Sequence, residues 1–186
     1  MSHRLILRRT RRFAAATSLA VLVCGCAPRQ AAFRTNNPQL DAFIELMTPR
    51  RIEIQRYLTR AVSFDGSGNP DGIELVLAAK DAFDDEVKCV GTILVELYRR
   101  PKASPDRLGK RVADWQVDIT TAEKLSAYWD NVARCVKLPL ALPDVKLRPG
   151  RYVLTAQLTT PTGQHLQDRY EFTVEPGLVP RPTTVR

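Results

Sequence analysis

The sequence predicts an all-β fold: a single β-sandwich of about seven strands, with a short N-terminal helix and a short helix near 121–128. Three observations predict it. Apolar residues recur with period two in segment after segment between Pro49 and Val174, the spacing that buries one face of a strand. Stretches rich in Gly, Pro, Asn and Asp separate those segments, and each supplies turn conformations. The length, 186 residues, suits one core better than two.

The elements follow in order. Asn37-Pro38 precedes Gln39 to Met47, where Leu40, Phe43, Ile44 and Met47 recur at helical spacing. The Asn side chain can cap, and Pro at N1 lacks an N–H that would be unpaired there anyway. Packing of this stripe on the domain is the expected role; peripheral membrane contact is the alternative. Ile52, Ile54 and Leu58 then open the alternation, and Ile73, Leu75 and Leu77 continue it. Val87 to Tyr98 is a long apolar run, the best central strand. Trp115, Val117 and Ile119 alternate with Asp114, Gln116 and Asp118, and Val132 to Leu140 follows. Tyr152 to Leu158 and Tyr170 to Val174 complete the seven. Between the fourth and fifth, Thr120 or Thr121 can cap a short helix starting at Glu123.

The N-terminus reads as an export signal. A basic head (Arg4, Arg8, Arg9, Arg11, Arg12) precedes an apolar run from Phe13 to Val23. That run is too short for a membrane span and has no stop-transfer flank. Arg11-Arg12-Phe13 is similar to a twin-arginine signal, with Phe one place early; ordinary Sec export is expected. Val23, Gly25 and Cys26 resemble the lipobox of bacterial lipoproteins. The resemblance implies removal of residues 1–25, lipidation of Cys26 and a membrane-anchored, extracytoplasmic location. Residues 26–37 then form a tether reaching at most ~40 Å, 38–175 the sandwich, and 176–186 a Pro-rich, poorly ordered tail. The formal net charge of +8 falls to +3 once the five signal arginines leave. The basic balance therefore gives no case for a nucleic-acid partner.

Pro149-Gly150-Arg151-Tyr152-Val153-Leu154, the turn at Thr162-Gly163, and Tyr170-Glu171-Phe172-Thr173-Val174 resemble the closing hairpin of bacterial immunoglobulin-like domains, which implies an immunoglobulin-like sandwich. The mature chain is also similar to small planctomycete-type envelope lipoproteins. Pro70-Asp71-Gly72-Ile73-Glu74, Val95-Glu96-Leu97-Tyr98, Trp115, Tyr128-Trp129 and Pro149-Gly150-Arg151-Tyr152 carry that likeness. It implies a compartment and a fold, and no activity.

Candidate sites are few. Cys89 and Cys135 survive signal removal into an oxidising compartment, where a disulfide is natural. Strand parity opposes it, because Cys89 shares a face with Ile93 and Val95 while Cys135 shares one with Lys137. Both a bridge and two free thiols stay open. Asp65, Ser67, Asn69 and Asp71 alternate, with Glu74 beyond, as in calcium loops. Pro70 stands where an EF-hand needs Gly and Val76 where it needs Glu, so a turn is the other reading. Arg99, Arg100, Lys102, Arg107, Lys110 and Arg111 crowd one connection, a candidate contact for anions or simply a solvated charge run. Asp81, Asp84, Asp85 and Glu86 form an acidic counterpart. Trp115 is expected in the core, and Trp129 can serve core or sugar platform. His165, the only histidine after the signal, has no partner at catalytic spacing.

The expected function is that of a lipid-anchored, non-catalytic interaction or structural module of the envelope, with an unknown envelope protein or glycan as partner and no cofactor. A calcium-assisted glycan-binding sandwich is the alternative, and an enzyme of unknown class the next.

Overall fold

The computed structural model describes residues 35–101, 108–142 and 145–177. In chain order the elements are α1 (Pro38–Met47), β1 (Arg51–Ile54), β2 (Arg60–Val62), β3 (Gly72–Lys80), β4 (Glu86–Val87), β5 (Gly91–Arg99), β6 (Lys110–Ile119), α2 (Ala122–Ser126), β7 (Trp129–Asp130), β8 (Cys135–Ala141), β9 (Gly150–Thr159) and β10 (His165–Val174). They build a β-sandwich of two antiparallel sheets. One runs β1-β3-β8-β7, with β2 and β4 also on β3; the other runs β10-β9-β5-β6. Ile73, Leu75 and Leu77 of β3 and Val136, Leu138 and Leu140 of β8 share one core with Ile93, Val95 and Leu97 of β5 and Leu154, Ala156 and Leu158 of β9. These are the residues whose period-two spacing predicted a buried face.

Seven expected segments become ten strands for three local reasons. The first segment is interrupted at 55–59. β1 pairs Arg51 with Lys80, whereas β2 pairs Arg60 with Glu74, a shift of three residues along the same flank of β3. The Thr59 hydroxyl fills the gap, accepting from Val76 N–H at 3.0 Å and donating to Val76 C=O at 3.3 Å. Gln55 N–H still reaches the Val76 carbonyl at 2.9 Å, so the side chain supplies the one ladder bond, to Val76 N–H, that the excursion removes.

The long apolar run is divided as well. β4 stays on β3, and residues 88–90 carry the chain across to the second sheet. Gly91 makes that crossing close: its φ is +149°, and a Cβ there would lie 2.2 Å from the Thr159 carbonyl oxygen. The third division is the short β7, paired with the start of β8 through Trp129–Val136 and Asp130–Cys135.

Side chains tie the two sheets along both open edges. Ile54 N–H on β1 donates to an Asp168 carboxylate oxygen on β10 at 2.7 Å. Trp115 Nε1 on β6 donates to the Ala141 carbonyl at the end of β8 at 2.9 Å.

The helices start as their caps dictate. Asn37 accepts from Gln39 N–H and Leu40 N–H, and Thr121, rather than Thr120, accepts from Lys124 N–H. The expected packing of α1 on the domain does not occur, for none of its residues is buried. The inner faces of the two sheets already cover each other, and of the α1 stripe only Ile44 is half-buried while Leu40, Phe43 and Met47 stay exposed.

Strands of nine or ten residues separate the two ends of the sandwich by roughly 30 Å. The near end carries the start of β1, the 81–85 turn, the 88–90 crossing and the turn after β7. The far end carries the 63–71 loop and the connections entering β6 and β9.

Candidate functional site

The far end gathers two of the sequence-predicted sites. In the 63–71 loop, Asp71 turns back on its own backbone, accepting from Phe64 N–H at 2.6 Å and Asp65 N–H at 3.2 Å. Asp65 accepts from Ser63 Oγ and from Ser67 N–H, each at 2.9 Å. Ser67 Oγ accepts from Asn69 N–H at 3.3 Å. Alternating oxygens here build Asx and hydroxyl turns.

A cation does meet the two carboxylates, and it is a lysine. Lys146 Nζ hydrogen-bonds Asp65 and reaches Asp71 at 3.2 Å. The Lys146 hydrogen bond, helped by Ser67, holds the Asp65 carboxyl well below the usual carboxylate range and raises Lys146 in return. Glu74 stands apart from this cluster. It is buried on β3 and pairs with Arg60 at 3.1 Å. Among the described residues, no group of three or more His, Cys, Asp or Glu side chains is placed to hold a metal ion.

The basic cluster lies at the same end. Arg99, Arg100 and Pro101 face Lys110, Arg111 and Val112 across an open pocket of about 480 Å³. Gly109, at φ +71°, lets the returning chain pass directly under Arg99; a Cβ there would lie 2.3 Å from the Arg99 carbonyl oxygen. Two of the four cations are neutralised. Arg100 pairs with Glu171 on β10, and Arg111 pairs with Glu96 at 3.1 Å and Asp114 at 3.7 Å. Burial would raise Glu171, but Arg100 and Arg169 outweigh it and lower its pKa. Arg99 and Lys110 have no carboxylate partner among the described residues. Lys102 and Arg107 lie outside the described residues, as does Cys26.

Cys89 and Cys135 are two free, buried thiols. Cys89 sits in the crossing and belongs to the core. Burial pushes its thiol up to about 12. Cys135 opens β8, opposite Asp130 and outside that core cluster, and burial followed by the Asp130 charge raises it too. Cys89 lies between strands, so parity does not describe it; it belongs to the core cluster and Cys135 does not.

The remaining candidates have structural partners. Trp115 and Trp129 are half-buried against the core. His165 Nδ1 lies 3.0 Å from Thr159 Oγ1 and 3.4 Å from Gln157 Nε2. In the acidic turn, Asp84 pairs with Arg51 and Lys80, Glu86 with Arg134, and Asp81 accepts from Phe83 N–H and Asp85 N–H. Lys146, Glu96, Asp114 and Glu171 were the residues that sequence reasoning missed. Lys146 lies 75 positions from Asp71, so no local pattern announces their meeting. Glu96 and Asp114 occupy outward positions of adjacent strands, a legible signal only once the β5–β6 register is known.

Fold and site together define a β-sandwich protein with one basic, pocketed end. No protein-family model matches the chain, and no curated protein matches it. Among solved structures, the crystal structure of wild-type OgpA from Akkermansia muciniphila is similar at 13% identity and a TM-score of 0.35, over 74% of this chain and 35% of that one. The chain therefore spans about a third of the length of that protein, and so slight a likeness carries no argument about function.

Proposed function

We propose that the protein is a lipid-anchored, extracytoplasmic, non-catalytic interaction module of immunoglobulin-like type, which engages an anionic partner in the envelope through its basic far end. The carrying observation is the pocket in which Arg99 and Lys110 stand without carboxylate partners among the described residues, while Arg100 and Arg111 are held by acids. The paired arginines are fixed in place; the other two cations are left to meet an outside anion.

The immunoglobulin-like reading has two supports. The sheet orders β1-β3-β8-β7 and β10-β9-β5-β6 correspond to the A-B-E-D and G-F-C-C′ arrangement of such domains. Tyr152, at the start of β9, donates its hydroxyl to the Arg148 carbonyl at 2.8 Å, which resembles a tyrosine corner. Lipid anchoring rests on the lipobox resemblance of Val23, Gly25 and Cys26. The calcium-assisted glycan alternative has Lys146 against it, since a divalent ion at Asp65 and Asp71 must first displace that ammonium.

The test is photo-crosslinking in the native envelope from a probe at Pro101, which lines the pocket and is exposed. Repeated capture of one partner, lost in Arg99→Glu/Lys110→Glu and weakened by salt, is expected. Equal capture from probes scattered over both ends would overturn the reading.

A further inference from the structure

We infer that α1 and the near end of the sandwich rest on a lipid bilayer, so that the basic pocket points away from the membrane. The inference rests on the lipid-anchor reading and extends it from an attachment point to an orientation. Leu40, Phe43, Leu46 and Met47 are all exposed on α1, Phe43 by 59%. Two further apolar tips stand at the same end: Phe83 is 71% exposed in the 81–85 turn and Val132 is 96% exposed in the turn after β7. Hydrogen bonds place these segments together. Arg50 N–H donates to the Lys80 carbonyl at 2.7 Å, joining the chain after α1 to β3. Arg51 pairs with Asp84. Arg134 donates to the Glu86 carbonyl at 2.8 Å, joining the two turns.

The chain leading out of the described residues fixes the occupant. α1 begins twelve positions after Cys26, so a lipid on Cys26 holds α1 within ~40 Å of the bilayer. At that distance a short apolar stripe needs little affinity of its own to settle into the headgroup boundary. The acids of the turn beside Phe83 are offset by Arg51, Lys80 and Arg134, which pair with Asp84 and Glu86, so this end carries no cation excess to draw anionic lipid and the matching lipid is a neutral one. The basic pocket, roughly 30 Å away along the strands, lies well beyond the ~8–10 Å screening length. Its ligand is then found in the envelope space and not among headgroups.

The experiment uses the mature chain with Cys26→Ser and an N-terminal histidine tag, held on nickel-chelating phosphatidylcholine vesicles. A polarity-sensitive dye is placed on Met47→Cys, Val132→Cys or, as the far-end control, Glu175→Cys; the buried Cys89 and Cys135 are poor labelling targets. A blue shift and strong quenching by spin-labelled lipid are expected at 47 and 132 and not at 175. Leu40→Asp/Phe43→Asp, which disturbs no buried residue, is expected to reduce the quenching at 132 at least about twofold. An unquenched dye at 47 overturns the inference. So does a blue shift that grows with protein concentration alongside a dimer in sedimentation, which assigns the face to a second copy. Stronger quenching on anionic than on neutral vesicles overturns the choice of lipid. Acylation of Cys26 is read separately by mass spectrometry, so failure of the anchor and failure of the orientation are distinguishable.

Discussion

Asp168 on β10 receives the backbone N–H of Ile54 on β1 at 2.7 Å across the open edge of the sandwich. Ile54 is the last residue of β1, just before the 55–59 excursion, and the carboxylate gives its N–H a partner in the opposite sheet. Asp168→Ala is expected to cost about 2 kcal/mol, the range for a hydrogen bond to a charged group that leaves a donor unpaired. Asp168→Asn keeps an acceptor and recovers most of it. Urea midpoints of the two variants decide; equal loss in both refutes the hydrogen-bond account.

Lys146 is the cation of the 63–71 loop. The Lys146 ammonium holds the Asp65 carboxyl well below the usual carboxylate range. A depressed carboxylate stabilises the fold above its unfolded pKa and loses that contribution as pH falls through its folded value. Lys146→Met is therefore expected to lower Tm at pH 7, with the deficit shrinking below about pH 4. Millimolar calcium is expected to leave the wild-type Tm unmoved; a rise reversed by EDTA speaks for the metal instead.

The two thiols make a chemical prediction. With Cys89 pushed up to about 12 and both side chains buried, neither is expected to react with a thiol reagent at pH 8 in the native state. Both react after unfolding. Because the Cys89 pKa is raised on folding from 9.0, its contribution is full below that value and declines as pH rises past it. Stability of the wild type is expected to fall above about pH 9 more steeply than that of Cys89→Ala. Parallel pH profiles in the two proteins contradict this.

Gly91 tests the crossing between sheets. Its φ of +149° and the 2.2 Å approach of a Cβ to the Thr159 carbonyl oxygen exclude any side chain without backbone movement. Gly91→Ala is expected to cost about 3 kcal/mol by chemical denaturation, against about 1–2 kcal/mol for Gly163→Ala, where φ is +80° but no atom crowds the position. A neutral Gly91→Ala removes the close approach as the reason the apolar run divides there.

Thr59→Val keeps shape and removes the hydroxyl that serves both Val76 N–H and Val76 C=O. The expected loss is about 1–2 kcal/mol, from the buried Val76 N–H left unpaired while its carbonyl keeps the Gln55 N–H. It is read together with faster amide exchange at Val76; unchanged exchange assigns the loss elsewhere.

The alternation of apolar residues by itself determined the all-β sandwich and its inner faces, and Asn37-Pro38 determined the first helix cap, because strand pleat and cap geometry are local; the choice of Thr121 over Thr120 came from the structure. Parity did not place Cys89, because the long run breaks at 88–90 and Cys89 lies in the crossing. Tertiary structure decided what depends on register and crossing. Val87 to Tyr98 reads as one strand, yet it serves two sheets, since nothing local records which neighbour a strand pairs with. The loop of alternating oxygens reads as a calcium site, yet its carboxylates meet Lys146, brought from 75 positions away. The basic run reads as six like charges; pairing with Glu171, Glu96 and Asp114 leaves Arg99 and Lys110 as the cations of that run without a carboxylate partner among the described residues. Periodicity depends on near neighbours in the chain, whereas charge compensation depends on neighbours in space, and only folding sets those.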